Sequence, residues 1–134
     1  MMLDPWSSRH GCYTDKVMHP NLTSLEQVDE LDRLIVESQA QPVLLFKHSY
    51  TCGISAEALD ELISHLNEDY VDVRYAIVTV QTHREVSNAV STKLGVRHET
   101  PQALLVRGGR VVWSASHFRV NAEELNKALR ANVR

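Results

Sequence analysis

The chain alternates between short apolar runs and stretches in which apolar residues recur every three or four positions. The run Pro42–Phe46 is uninterrupted and predicts a buried strand, which continues to about residue 48. From residue 53 to about 68 the apolar positions follow the helical period, and β-branched residues between Tyr70 and Val80 predict a second strand. The pattern therefore predicts a strand–helix–strand unit in the middle of the chain.

Two further helices are predicted, one before this unit and one after it. Ser24 has the spacing of a capping box and opens a helix that runs to about Ser38. Arg84 to Leu94 has a second amphipathic pattern, and Gly95 suits the left-handed position that follows a helix. Helices thus alternate with strands through the first two thirds of the chain.

A hairpin and a helix are predicted for the last third. Two β-type runs, 102–106 and 111–115, flank a turn that contains Gly108 and Gly109. Asn121 then has the position of an N-cap for a final helix. The order helix, strand, helix, strand, helix, strand, strand, helix is that of a thioredoxin-like α/β fold. We expect a central mixed four-stranded sheet flanked by helices, since a strand–helix–strand unit gives a parallel pair and the hairpin an antiparallel one.

Domain boundaries follow from where the periodicity begins. Residues 1–21 have scattered aromatic residues and no period, so they are predicted to form an irregular N-terminal extension. Residues 22–134 are predicted to form the thioredoxin-like domain.

Composition narrows the possible partners and compartment. The 134 residues carry a net charge of −3, whereas a nucleic-acid-binding surface needs a basic excess. No stretch approaches the roughly 18 apolar residues that span a membrane, and we expect no secretory signal. Two cysteines, Cys12 and Cys52, are too few for a disulfide scaffold, which favours a reducing compartment, the cytoplasm. We therefore expect neither nucleic-acid nor membrane partners.

Cys52 is the main candidate for chemistry. It lies between a predicted strand and a predicted helix, where unpaired N–H groups and the helix dipole favour the thiolate, the reactive form of cysteine. Ser55 occupies the position that holds the second cysteine of a C-x-x-C motif, so a disulfide within the motif is excluded. The competing interpretation is an inert buried thiol.

Residues around Cys52 are candidates for catalysis or substrate binding. Ser55 would donate a hydrogen bond to the thiolate or bond only to backbone, and Thr51 is an N-cap type of residue. Gly53 begins the predicted helix. His117 follows the last predicted strand, where a cation would favour the thiolate and protonate a leaving sulfur; the competing interpretation is a solvated surface group.

A proline marks a second part of the candidate site. Thr100 precedes Pro101 at the entry to a predicted strand, and a cis bond there would present a backbone edge to an extended substrate. The alternative is a strand-entry proline without a role. His48 is a weaker candidate, and Arg97 with His98 is a candidate for recognising carboxylates of an anionic thiol.

Four segments resemble one family. Lys47–Ser55 is similar to the active-site segment of the monothiol bacilliredoxins, the YtxJ-like bacterial proteins of the bacillithiol system. The resemblance covers about residues 24–130 and includes three further segments: Val86–Asn88, Leu94–Gln102 and Val111–His117. Gly53 departs from the family, which usually has proline there, and the extension with Cys12 is a second departure.

The resemblance implies removal of bacillithiol from mixed disulfides on S-thiolated client proteins. Cys52 would be the nucleophile of a thiol–disulfide oxidoreductase, with bacillithiol as co-substrate and with no bound cofactor or metal. Three alternatives stay open. In the first, the domain is a binding or stress-associated module without redox turnover. In the second, it is a carrier that bridges an iron–sulfur cluster between two protomers. In the third, it is an enzyme in which Cys12 resolves the adduct on Cys52.

Overall fold

The computed structural model describes residues 19–132, which form five strands and four helices. The predicted extension falls almost wholly outside the described residues, Cys12 included, so its boundary stays a prediction. The strands are β1 Leu22–Ser24, β2 Val43–His48, β3 Arg74–Thr79, β4 Gln102–Arg107 and β5 Arg110–Ser116. The helices are α1 Val28–Glu37, α2 Gly53–Glu68, α3 Arg84–Leu94 and α4 Ala122–Asn132, with a 3₁₀ turn at His117–Arg119.

The sheet is mixed, with the strand order β1-β3-β2-β4-β5. β3 is parallel to both β1 and β2, whereas β4 is antiparallel to β2 and to β5. The predicted fold class is confirmed, but the sheet has five strands and not the predicted four. In the described part of the chain, no helix combines the length and apolar character needed to cross a bilayer.

The extra strand lies where the sequence predicted the start of a helix. Leu22 and Ser24 pair with Tyr75 and Ile77 of β3, and the Leu25 N–H donates to the Ile77 carbonyl. α1 therefore begins only at Val28. Its start is stabilised by the Glu30 carboxylate, which accepts the N–H groups of residues 26 and 27. Pairing with a distant strand overrides the local helical pattern.

β2 is central and buried on both faces, because α2 and α4 cover one side of the sheet and α1 and α3 the other. Side chains alternate along the strand, so Leu44 and Phe46 enter the α2/α4 core while Val43 and Leu45 enter the α1/α3 core. The last two residues of β2, Lys47 and His48, continue this alternation and are both buried. β2 thus places one basic side chain under each face of the sheet, beside the turn that leads to Cys52.

Candidate active site

Cys52 is the N-cap residue of α2. Its backbone is extended, with φ −115° and ψ 123°, and its carbonyl accepts the Ala56 N–H at 3.0 Å. Its own N–H donates to the Ser49 carbonyl at 3.2 Å, which closes the turn after β2. The side chain is partly exposed and makes no capping hydrogen bond. Cys52 therefore lies, partly exposed, at the N-terminal end of a 16-residue helix.

The turn ahead of the sulfur is held by Gln81, which follows β3. The Gln81 amide nitrogen donates to the hydroxyls of Ser49 at 2.7 Å and Thr51 at 3.1 Å, and its carbonyl oxygen accepts the Tyr50 N–H at 3.3 Å. The prediction that Thr51 caps the helix is wrong, because Cys52 occupies the N-cap and the Thr51 hydroxyl bonds Gln81. Sequence reasoning missed Gln81, which has no local pattern to mark it.

The Ser55 hydroxyl is committed beneath the turn. It accepts the Ser49 N–H at 2.9 Å, lies 2.8 Å from His48 Nδ1, and its side chain is fully buried. Of the two predicted alternatives, the structure places the hydroxyl on backbone and adds the His48 ring. No hydrogen bond between Ser55 and Cys52 exists among the described residues. Ser55 thus fixes the turn that carries the sulfur.

His48 is neutral under this turn at neutral pH. Burial lowers the pKa of its imidazole to about 4, and the ring stacks on Phe46 with centroids 6.0 Å apart. A neutral ring provides no cation to a thiolate. His48 therefore takes part in packing and in hydrogen bonding to Ser55.

The peptide bond between Thr100 and Pro101 is cis. This agrees with the sequence prediction and places the bond immediately before β4. The Pro101 carbonyl accepts the His117 N–H at 3.0 Å, so the segment before β4 is joined to the segment after β5. Thr100 is partly exposed and Pro101 is buried.

His117 is exposed and lines a groove of about 300 Å³ that begins at Ile54, two residues after Cys52. Glu57, Asp60 and Glu61 of α2 form the acidic side of this groove. The His117 backbone has φ 58°, a left-handed conformation that residues other than glycine adopt at a cost of about 1 kcal/mol or more. His117 thus lines the same groove as Ile54 in the first turn of α2, and its proximity to the Cys52 sulfur stays a prediction.

Gly53 is the first residue of α2. A Cβ built on it meets no atom within 4 Å, and its φ is not positive. Neither space nor backbone conformation requires glycine here.

Of the two residues predicted to recognise carboxylates, His98 contacts another residue of the protein, and the role of Arg97 stays a prediction. His98 Nδ1 lies 2.9 Å from the Lys47 ammonium, and burial together with the charges of Lys47 and Arg84 lowers the pKa of the His98 imidazole. A neutral His98 is no cation for carboxylates. Arg97 is exposed and lines a shallow cleft of about 340 Å³ with Arg119. Sequence reasoning missed Lys47, although a lysine inside a predicted buried strand was a signal.

No group of three or more histidine, cysteine or acidic residues is arranged to hold a metal ion within residues 19–132.

Comparison with known proteins shows the fold and the family of the chain. A solved structure described as a candidate oxidoreductase with a thioredoxin fold is 32% identical, with a TM-score of 0.71 over 81% of this chain and 93% of the other. Thioredoxin O2 from Arabidopsis thaliana, at 19% identity and TM-score 0.67, is covered to 98% by 87% of this chain. Fasciola hepatica thioredoxin, at 18% identity and TM-score 0.63, is covered to 96% by 81% of this chain. The family described as monothiol bacilliredoxin BrxC matches residues 23–125. The chain therefore belongs to the monothiol bacilliredoxin family and has a thioredoxin fold.

Proposed function

We propose that this thiol oxidoreductase removes bacillithiol from mixed disulfides on proteins, with Cys52 as the nucleophile. The observation that supports the proposal most is the position of Cys52, a partly exposed N-cap residue that has no second cysteine in its motif. Membership of the monothiol bacilliredoxin family supports bacillithiol as the small thiol. We infer a reducing compartment, the cytoplasm, because the exchange needs free thiols.

The proposed first step is a disulfide exchange. The Cys52 thiolate attacks the bacillithiol sulfur of the mixed disulfide, a new S–S bond forms, and the client sulfur leaves as a thiolate. That thiolate takes a proton from solvent or from a protonated His117 side chain. The client is released as a free thiol, and Cys52 carries bacillithiol.

The proposed second step uses a thiol from outside the motif, since Ser55 occupies the resolving position. A second bacillithiol, as thiolate, attacks the bacillithiol sulfur of the adduct. The products are the symmetrical bacillithiol disulfide and the Cys52 thiolate. Over the two steps the client sulfur returns to the thiol level and the second bacillithiol is oxidised from thiol to disulfide, so one bacillithiol thiol is consumed per client released.

Substrate orientation is assigned to the backbone next to Pro101. An extended client segment would pair with Thr100, which is partly exposed beside the cis bond. Gly53 and Thr51, on either side of the sulfur, would contact the same segment. The exposed Tyr50 side chain lies on the adjoining turn.

Intact-mass spectrometry tests the proposal. The protein is incubated with a peptide that carries a bacillithiol mixed disulfide, and wild type is expected to gain one bacillithiol while the free peptide is released. Cys52→Ser should gain none, and Cys12→Ser should behave as wild type if Cys12 has no resolving role. Peptide binding without an adduct would instead indicate a binding module without redox turnover and would contradict the proposal.

A further inference from the structure

Lys47 is a buried cation that the proposed chemistry does not use. It is the penultimate residue of β2, and its exposed fraction is 0%. Its side chain continues the row of Val43 and Leu45 into the α1/α3 core, on the face of the sheet opposite to α2. Lysine is almost never fully buried unless it has partners, so the partners indicate its role.

The ammonium of Lys47 joins three elements. It donates to the Ser91 hydroxyl of α3 at 3.2 Å and to His98 Nδ1 at 2.9 Å. His98 lies in the segment 95–101, which connects α3 to β4 and ends in Thr100-Pro101. β2, which leads to the sulfur, is thus bonded directly to the segment that carries the cis-proline.

A second contact supports the same segment. Gln102 is paired directly with Lys47 across the β2–β4 ladder and is buried. Its amide nitrogen donates to the Arg97 carbonyl at 3.0 Å. Residues 97 and 98 therefore both accept hydrogen bonds from neighbouring side chains of the sheet, Gln102 and Lys47.

Within residues 19–132, two further polar atoms are buried on this face of the sheet without a hydrogen-bond partner. Ser87 lies one helical turn before Ser91, and both its hydroxyl and the Gln102 amide oxygen are buried without a hydrogen-bond partner in the described part of the chain. An ammonium has three N–H donors, and two are used by Ser91 and His98. The surroundings of Lys47 are therefore polar enough to keep a donor there.

We propose that Lys47 is a positioning residue that holds segment 95–101, and with it the backbone edge of Thr100-Pro101, at the place where a client pairs beside Cys52. The proposal rests on the proposed function. The sulfur itself is held by a different set of contacts, those of Ser49, Ser55 and Gln81. Loss of Lys47 should therefore impair recognition of an extended client and spare the reactivity of Cys52 toward small reagents.

The test uses Lys47→Met in the full-length protein. Methionine keeps the length of the side chain and removes the N–H donors. Leu45→Met is the matched control, because it changes the same strand and the same core without touching a hydrogen bond. Iodoacetamide alkylation of Cys52 should stay within about twofold of wild type in both variants.

Client turnover is the second measurement. KM for a peptide mixed disulfide should rise about tenfold in Lys47→Met and stay unchanged in Leu45→Met, since small displacements of a positioning element have large kinetic effects. Peptides that carry bacillithiol and cysteamine are compared, because cysteamine has no carboxylates. Equal loss for both peptides is expected, and loss only for bacillithiol would show instead that the segment recognises the small thiol.

Amide hydrogen exchange gives a result that does not depend on turnover. Segment 95–101 should exchange faster in Lys47→Met than in Leu45→Met. If Lys47→Met does not fold, His98→Ala replaces it, since it removes the acceptor of the Lys47 hydrogen bond at an exposed residue. Segment 95–101 should then exchange faster in His98→Ala than in wild type. Unchanged exchange in the segment, or an equal fall in alkylation and turnover, would overturn the positioning role. If wild type fails to turn over any mixed disulfide while exchange responds as expected, the proposed function has failed and the positioning has not.

Discussion

Lys47 and His48 are consecutive, both buried, and directed to opposite faces of the sheet. Lys47 is bonded on the α1/α3 side to the segment that carries the cis-proline, whereas His48 is bonded on the α2/α4 side to Ser55 beneath the sulfur. Cys52, the proposed nucleophile, and the Thr100-Pro101 edge, the proposed client-binding element, are thus attached to adjacent residues of one strand. The end of β2 sets their relative position.

The two residues also differ in charge. Burial lowers the pKa of His48 to about 4, so its ring is neutral at pH 7, and it lowers the pKa of Lys47 from 10.5 to about 8, so the ammonium keeps its charge. A neutral ring is inexpensive to bury, and an ammonium is not. The comparison predicts that substitutions on the two faces have opposite effects on stability.

The largest effect is expected from the pH dependence of stability. His48 in the unfolded chain takes up a proton below about pH 6.5 and in the folded protein only near pH 4, so stability present above pH 6.5 is lost as the pH falls through this window. The loss is about 3 kcal/mol. Urea unfolding from pH 4 to 7 should show that the free energy of unfolding depends less steeply on pH in His48→Gln than in wild type. Other titrating groups, such as His65, contribute equally to both proteins and therefore cancel in the comparison. Parallel slopes would contradict the burial of a neutral ring.

Burial of Lys47 also makes the protein more stable as the pH rises, but in a separate and higher pH range. Its folded pKa is about 8, so stability rises with pH between about 8 and 10.5, and the charge is a burden at pH 7. Lys47→Met is therefore expected to raise the free energy of unfolding at pH 7 by about 1–3 kcal/mol. Urea unfolding at pH 7 and pH 10 measures this, and the gain should shrink at the higher pH. A variant less stable than wild type at pH 7 would reverse the comparison.

Ser55→Ala tests the other face. The change leaves the buried Ser49 N–H without its Ser55 acceptor and removes one hydrogen bond of His48, so the free energy of unfolding should fall by about 1–2 kcal/mol. Chemical denaturation measures the loss. The pH midpoint of Cys52 alkylation should stay as in wild type, and a shifted midpoint would favour the contact with the thiolate that was one of the two alternatives predicted for Ser55.

The smallest effect is expected at Gly53. Cys52 already has the extended backbone that the residue before proline requires, and the first helical position favours proline. Gly53→Pro, the residue usual in the family, should therefore raise the free energy of unfolding by about 0.5 kcal/mol. Gly53→Ala is the matched control, since its Cβ meets open space. Thermal unfolding of the two variants checks the prediction, and destabilisation by proline alone would count against the observed turn.

Most of the fold follows from local patterns. The bounds of α2 and α3 agree with their amphipathic periods, and Gly95 has the left-handed φ of 67° that the sequence predicted. β1 was missed because three residues have no usable period, and their pairing partner lies more than fifty residues away. Long-range pairing of this kind leaves no local signature.

The candidate site was predictable in part. Cys52 and Pro101 were found because helix starts and X-Pro bonds have local signatures. The contacts that hold them were not, since those of Gln81 and Lys47 join residues thirty to fifty positions apart. The partner of Ser55 was missed because the strand end directs the His48 ring under the turn, which depends on the sheet.

The left-handed backbone at His117 restricts what evolution can place there. Glycine and asparagine accept a φ of 58° with least strain, while valine, isoleucine and threonine are the least tolerated. A library of all twenty residues at this position should therefore separate two selections. Selection for folding alone should enrich glycine and asparagine, and selection for turnover should return histidine. The residue at position 117 of a variant would then indicate whether selection has kept its turnover of mixed disulfides or only its fold.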